Sequence, residues 1–176
     1  MNRQFEFEVL AECQQFYVHD EMADFELLDW TRQASNRLLA VSPDAISVGT
    51  IRGPAFVPVV LELSDKAPGD DLNQWDQVNE CSFKITSGHL VVGNVFCGGN
   101  RIEDRRIPVE PCAYRARIYY GNLASVTRDG IGEDHYRVVL WPAVAAPMQV
   151  LRQMDVQLLR WASFVADSSL SHRLTM

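Results

Sequence analysis

Two strand-like stretches constrain this chain more than any other feature. Tyr114-Arg-Ala-Arg-Ile-Tyr-Tyr120 and His135-Tyr-Arg-Val-Val-Leu-Trp141 are rich in β-branched and aromatic residues, and a Gly-, Asn- and Asp-bearing connection separates them. That pattern predicts two paired core strands of an all-β domain. In the first, Tyr114, Ala116, Ile118 and Tyr120 share one face, and Arg115, Arg117 and Tyr119 share the other. Arginines alternating with apolar residues read as the exposed face of a half-buried strand. A second reading has Arg115 and Arg117 gripping a carboxylate or phosphate by fork geometry.

The remaining segments extend the same architecture. Phe5-Glu-Phe-Glu-Val9 alternates with period two, and Gln15-Phe-Tyr-Val18, Ala45-Ile-Ser-Val48 and Phe56-Val-Pro-Val-Val-Leu-Glu-Leu63 add strand candidates. Pro58 cannot donate to a ladder, so its strand is expected to begin at an edge or a bulge. Gln74 to Ile85 and His89 to Val92 flank the turn Ser87-Gly88 and are expected to form a hairpin. Asp29 or Thr31 caps a short helix near 31–39. After Pro147, the spacing of Leu151, Met154, Leu158, Ala162 and Val165 predicts an amphipathic helix from 148 to about 165.

The fold class that follows is mainly β: a β-sandwich, jelly-roll-like, with one short inserted helix and a C-terminal amphipathic helix. With 176 residues, 47% of them hydrophobic, the chain has enough apolar material for one core. Residues 1–146 are expected to form the sandwich, with 147–176, helix and tail, belonging to the same domain. Leu151, Met154, Leu158 and Trp161 are expected to pack that helix on the sandwich, and a homodimer through the same face is the alternative.

No apolar run approaches the roughly 20 residues of a membrane-spanning helix, and carboxylates interrupt the N-terminal stretch where a secretory signal would be apolar. The expected location is the cytoplasm. Cys13, Cys81, Cys97 and Cys112 form no C-x-x-C pair, so they read as reduced thiols and not as a zinc site.

Catalytic patterns are weak. Adjacent His19 and Asp20 on a strand point to opposite faces, which argues against a base with its orienting carboxylate. Asp129, Glu133, Asp134 and His135 contain metal-ligating types, but they sit around a hairpin-like Gly-rich loop. Asp76 and Glu80 have the parity of a carboxylate pair for acid/base work and equally that of a solvated strand face. Cys81 would be a nucleophile only beside a base. No phosphate-binding glycine loop, nucleophile elbow or zincin motif is present. The chain is read as non-enzymatic, with no cofactor.

Charge distribution carries the functional signal. Residues 1–88 hold 15 acids and 6 bases, and residues 89–176 hold 8 acids and 10 bases, so the net charge of −7 originates in the N-terminal half. Between Gln4 and Thr31 there are eight carboxylates and no Lys or Arg. Such a field repels nucleic acid directly and steers a basic protein partner toward the surface.

Gln15-Phe-Tyr-Val-His-Asp20, followed by Asp29-Trp-Thr31, a short helix and Ala45-Ile-Ser-Val48, resembles the opening of the competence protein J family. The likeness covers about the first 60 residues of the chain. Trp75 to Glu80, the Tyr114 to Arg117 strand and the strand ending at Pro142 look similar to a wider group of uncharacterised bacterial β-rich proteins. The family resemblance implies an inhibitor of a nuclease and hence a protein partner. The expected partner-binding residues are Asp20, Glu21, Asp24, Glu26 and Asp29 for charge steering, with Trp30 as an aromatic anchor. A core plug under the helix is the competing role for Trp30. The alternative function is a carbohydrate- or lipid-binding module in which Trp75, Tyr119 and Tyr120 line a concave sheet.

Overall fold

The computed structural model describes residues 2–24, 28–94 and 105–154. The alternating segments become strands β1 (Arg3–Ala11), β2 (Gln15–Asp20), β3 (Leu39–Val41), β4 (Ala45–Gly49), β5 (Ala55–Leu63), β6 (Gln77–Ile85), β7 (His89–Gly93), β8 (Arg106–Pro108), β9 (Cys112–Gly121), β10 (His135–Pro142) and β11 (Gln149–Arg152), with one α-helix among the described residues, α1 (Arg32–Arg37). They form two sheets. One has six strands in the order β1-β5-β10-β9-β6-β11, and the other has five in the order β3-β4-β2-β7-β8.

The two opening stretches pair as the alternation predicts. β9 and β10 are antiparallel neighbours with Val138 opposite Ile118 and Tyr136 opposite Tyr120. Tyr114, Ala116, Ile118 and Tyr120 all enter the main core, where they meet Phe16, Val18, Ile46, Val48, Leu90 and Val92 from the five-stranded sheet. Three aromatic rings seal this junction. Tyr136 lies edge-on to Phe16 at 5.6 Å and to Tyr120 at 5.8 Å, the T-shaped geometry that aromatic quadrupoles favour.

The outer face of β9 departs from expectation. Arg115 and Arg117 are buried, Arg115 being only 5% exposed. Residues 64–76 fold back across the six-stranded sheet as a strap, and Leu72 and Trp75 pack on a second apolar cluster of Val78, Tyr119, Val139 and Trp141. The arginines close their charges on Glu80: Arg115 Nη2 reaches Oε1 at 2.6 Å and Arg117 Nε reaches Oε2 at 2.8 Å. Arg117 also donates to the strap carbonyls of Pro68 and Gly69. Period two told which residues share a face but not that the face is roofed.

Two further expectations are corrected, and the one on Pro58 is met. β6 and β7 are not a hairpin, because β6 pairs with β9 and β11 in one sheet while β7 pairs with β2 and β8 in the other. Ser87-Gly88 is therefore a corner between sheets, and Gly88 adopts φ +79° there, a conformation glycine reaches without a Cβ penalty. The start of β5 is an open edge, as Pro58 requires: the strand pairs with β1 along its whole length but with β10 only from Val59 onward, so the missing N–H of Pro58 falls outside the β10 ladder. Finally, Gln149–Arg152 is strand β11 on the edge of β6, not the first turn of a helix. The rest of the expected helix, including Leu158, Trp161, Ala162 and Val165, lies outside the described residues.

Candidate functional site

The acidic connection between β2 and α1 is held at both ends by polar clips that cross between elements. At its start, Asp20 ends β2 and is 1% exposed. Its Oδ2 accepts hydrogen bonds from the Thr86 N–H, the Thr86 hydroxyl at 2.8 Å and the Ser87 N–H at 3.0 Å. Its Oδ1 accepts the Met22 N–H at 3.0 Å. One carboxylate thus ties the inter-sheet corner to the first turn of the connection. Burial would by itself raise this carboxyl's pKa, but the donors from Met22, Ser87 and Thr86 outweigh it and hold the group well below the usual carboxylate range.

At the other end, Thr31 caps α1 by accepting the Ala34 N–H at 3.1 Å, as a threonine N-cap does. The helix stops at Leu38, which takes the left-handed conformation with φ 54°. Its C-terminal carbonyls are then received by the six-stranded sheet. Gln77 and Asn79 of β6 both donate to the Arg37 carbonyl, Asn79 at 2.7 Å, and the Tyr120 hydroxyl donates to the Leu38 carbonyl at 2.7 Å. The Leu38 carbonyl also accepts the Gly49 N–H at 2.8 Å, so the end of the helix is tied to both sheets.

Between the two clips the predicted residues take different places. Asp20 faces inward and serves the frame. Glu21 is half-buried and pairs with Arg106 at 2.6 Å, with His89 Nδ1 3.6 Å from the same oxygen. Asp24 is exposed and its N–H donates to Asp44 at 3.2 Å. Asp29 is exposed, and Glu26 lies outside the described residues. Trp30 is half-buried, and its ring edge would lie 3.1 Å from a Cβ placed on Gly49, so the indole is packed on the β4 backbone. Asp44 joins this acidic group although it lies 20 residues from Asp24 in sequence. Nothing in its local context, a Ser-Pro-Asp turn, distinguished it.

The other candidates do not assemble a reaction centre. Asp134 is buried against Arg52 and accepts from the Tyr136 hydroxyl at 2.7 Å. His135 instead sits edge-on to Trp75 at 5.4 Å, Glu133 lies 3.5 Å from Asn122, and Asp129 is exposed. Among the described residues, no group of three metal-ligating side chains converges. Asp76 lies before β6 and accepts the Leu123 N–H at 2.7 Å, while Glu80 is enclosed by two arginines, so they are not a working carboxylate pair. Burial pushes the Cys81 thiol up to about 12, the reverse of what a nucleophile needs. His19 is buried with Nδ1 2.6 Å from the Asp20 carbonyl oxygen. Tyr119 and Tyr120 are fully buried on opposite faces of β9, and Trp75 tilts over Tyr119 at 5.1 Å. The three aromatics do not form an open stacking platform. No helix among the described residues is long and apolar enough to cross a membrane.

The fold is one already seen in solved structures. The chain is similar to ComJ, inhibitor of the DNA degrading activity of NucA, from Bacillus subtilis, with a TM-score of 0.57 and 13% identity over 80% of this chain and 96% of that one. It is also similar to the structure of Crocagin biosynthetic gene J, with a TM-score of 0.53 and 14% identity over 81% and 98% of the two chains. No protein-family model matches the sequence, and no curated protein matches it. At these identities the likeness is one of fold: the chain has a ComJ-like architecture.

Proposed function

We propose that this protein is a non-enzymatic inhibitor that binds a basic protein partner, a nuclease, through the acidic connection between β2 and α1. The observation that carries the reading is the framing of that connection. Its carboxylates sit on a segment anchored at one end by Asp20 and at the other by α1, within an architecture shared with a nuclease inhibitor. Anchoring matters because fixing the two ends of a connection lowers the conformational entropy lost on binding.

In this reading Glu21, Asp24, Glu26 and Asp29 supply the steering charge, and Asp44 adds to it. They occupy, on the partner, the cationic track that would otherwise hold DNA phosphates. Electrostatic complementarity of this kind acts mainly on the association rate and on choice of partner. Asp20 contributes by fixing the backbone, and Trp30 by packing the connection onto β4.

The test is a DNA-degradation assay with Bacillus subtilis NucA. The wild-type chain is expected to block degradation at a one-to-one ratio. The variant Glu21→Gln/Asp24→Asn/Glu26→Gln/Asp29→Asn is expected to block it poorly. Equal protection by both proteins would remove the acidic connection from the mechanism.

A further inference from the structure

Charge steering brings partners together, but tight complexes are held by desolvated apolar anchors. Trp30, half-buried against β4, offers only part of its ring for that role. Elsewhere among the described residues, the large exposed apolar side chains are Met22, Phe56, Ile131, Val144 and Val150. Only Phe56 belongs to a stripe.

β5 alternates strictly, with Val57, Val59, Leu61 and Leu63 in the core. Phe56, Pro58 and Val60 therefore project together from the opposite face, with Phe56 58% exposed. The strap that roofs the outer face packs on residues of β6, β9 and β10 and not on this stripe. Directly across the ladder, Glu8 stands opposite Pro58 and Glu6 opposite Val60, and both carboxylates are exposed. A shallow groove of about 260 Å³ runs along these residues.

We infer that the outer face of β1 and β5 is a second docking surface, on which Phe56, Pro58 and Val60 anchor an apolar strip of a protein partner whose flanking Lys or Arg residues meet Glu6 and Glu8. The inference rests on the reading that the partner is basic. Charge complementarity selects this occupant over a second copy of the chain, because a symmetric pairing of this face would bring Glu6 and Glu8 toward their own counterparts. Acid beside apolar surface also lets the same patch reject neutral hydrophobic partners.

The experiment compares three full-length proteins by surface binding kinetics on NucA. They are the wild type, Phe56→Ser/Val60→Ser, and the charge variant of the acidic connection. The face variant is expected to weaken binding at least about tenfold through faster dissociation, whereas the charge variant slows association. If the face variant binds within about twofold of wild type while the charge variant is weakened, the second surface is wrong and the inhibitor reading stands. If wild type does not bind NucA, the inhibitor reading fails. The surface is then judged by amide shifts during titration with a peptide alternating Lys and Val: shifts confined to β1 and β5 keep it, and their absence overturns it. A concentration-dependent dimer abolished by Phe56→Lys would show a second copy on this face and would also overturn it. Unchanged circular dichroism of the face variant separates lost contact from lost fold.

Discussion

The carboxylate of Asp20, at the end of β2 in the five-stranded sheet, accepts the backbone N–H of Thr86, which follows β6 in the six-stranded sheet. The same group accepts the Met22 N–H at the start of the acidic connection. A residue that reads in the sequence as one more surface acid is thus the joint between the two sheets and the connection. Its replacement should be felt in stability before it is felt in binding.

Asp20→Asn keeps the shape but turns an acceptor-only group into one that also presents an N–H₂ to backbone donors. It is expected to cost about 2–3 kcal/mol, the range for losing hydrogen bonds to a buried charged acceptor. Urea denaturation should show a lower midpoint with an unchanged slope. A change under about 0.5 kcal/mol would mean that the corner is held by other contacts.

The same carboxylate makes stability depend on acid. Its folded-state pKa is depressed below the ordinary unfolded value of about 3.9. The stabilisation is therefore complete above that value and is lost as pH falls through it toward the folded-state pKa. Asp71 and Glu80 are shifted in the same direction: burial opposes the shift, and Arg137, and Arg115 with Arg117, overcome that opposition. The gap in stability between wild type and Asp20→Asn should hold from pH 7 to about 5 and narrow below about 4. A gap that is constant down to pH 3 in parallel urea titrations would contradict this assignment.

Glu80 neutralises two buried arginines on the outer face of β9. Glu80→Ala leaves both guanidinium groups without their carboxylate and is expected to cost about 3–5 kcal/mol. Replacing Glu80, Arg115 and Arg117 together by Met should recover most of that loss. Thermal melts of the single and triple variants decide it. Equal destabilisation in both would show that the arginines act by packing and not by pairing.

The α1 end of the connection has its own test. Gln77→Ala/Asn79→Ala removes the side chains that donate to the Arg37 carbonyl and should cost about 1–3 kcal/mol. Amide hydrogen exchange should accelerate in α1 and in the connection while β9 and β10 keep their protection. Uniform acceleration across all strands would show a global effect in place of a local anchor.

The sequence made some of these relationships visible and hid others for physical reasons. Alternation in Tyr114 to Tyr120 and His135 to Trp141 reports side-chain direction, and direction alone sufficed to place Ile118 and Val138 in the core. It does not report what covers a face, so Arg115 and Arg117 looked solvated although the Pro68 and Gly69 carbonyls receive Arg117 and those of Ala146 and Pro147 receive Arg115. Ser87-Gly88 carries the same turn chemistry in a hairpin and in a corner between sheets. The difference lies in Asp20, 66 residues from Thr86 in sequence. In Gln149–Arg152 the apolar spacing suited a helix, but pairing with the free edge of β6 decided the conformation, a tertiary effect that local pattern does not contain. Within the candidate site the acidic run was legible as charge. Its division into an inward frame residue, Asp20, and exposed residues such as Asp24 and Asp29 was not, because one-residue resolution of burial depends on partners far along the chain.

The central claim is that the connection between β2 and α1 steers a basic nuclease onto the protein. Its most direct test is the association rate constant with NucA at about 50 mM and about 500 mM salt, where screening lengths differ severalfold. For wild type the rate should fall at least about tenfold between the two conditions. For Glu21→Gln/Asp24→Asn/Glu26→Gln/Asp29→Asn it should start lower and change little. The same steep salt dependence in both proteins would contradict the account.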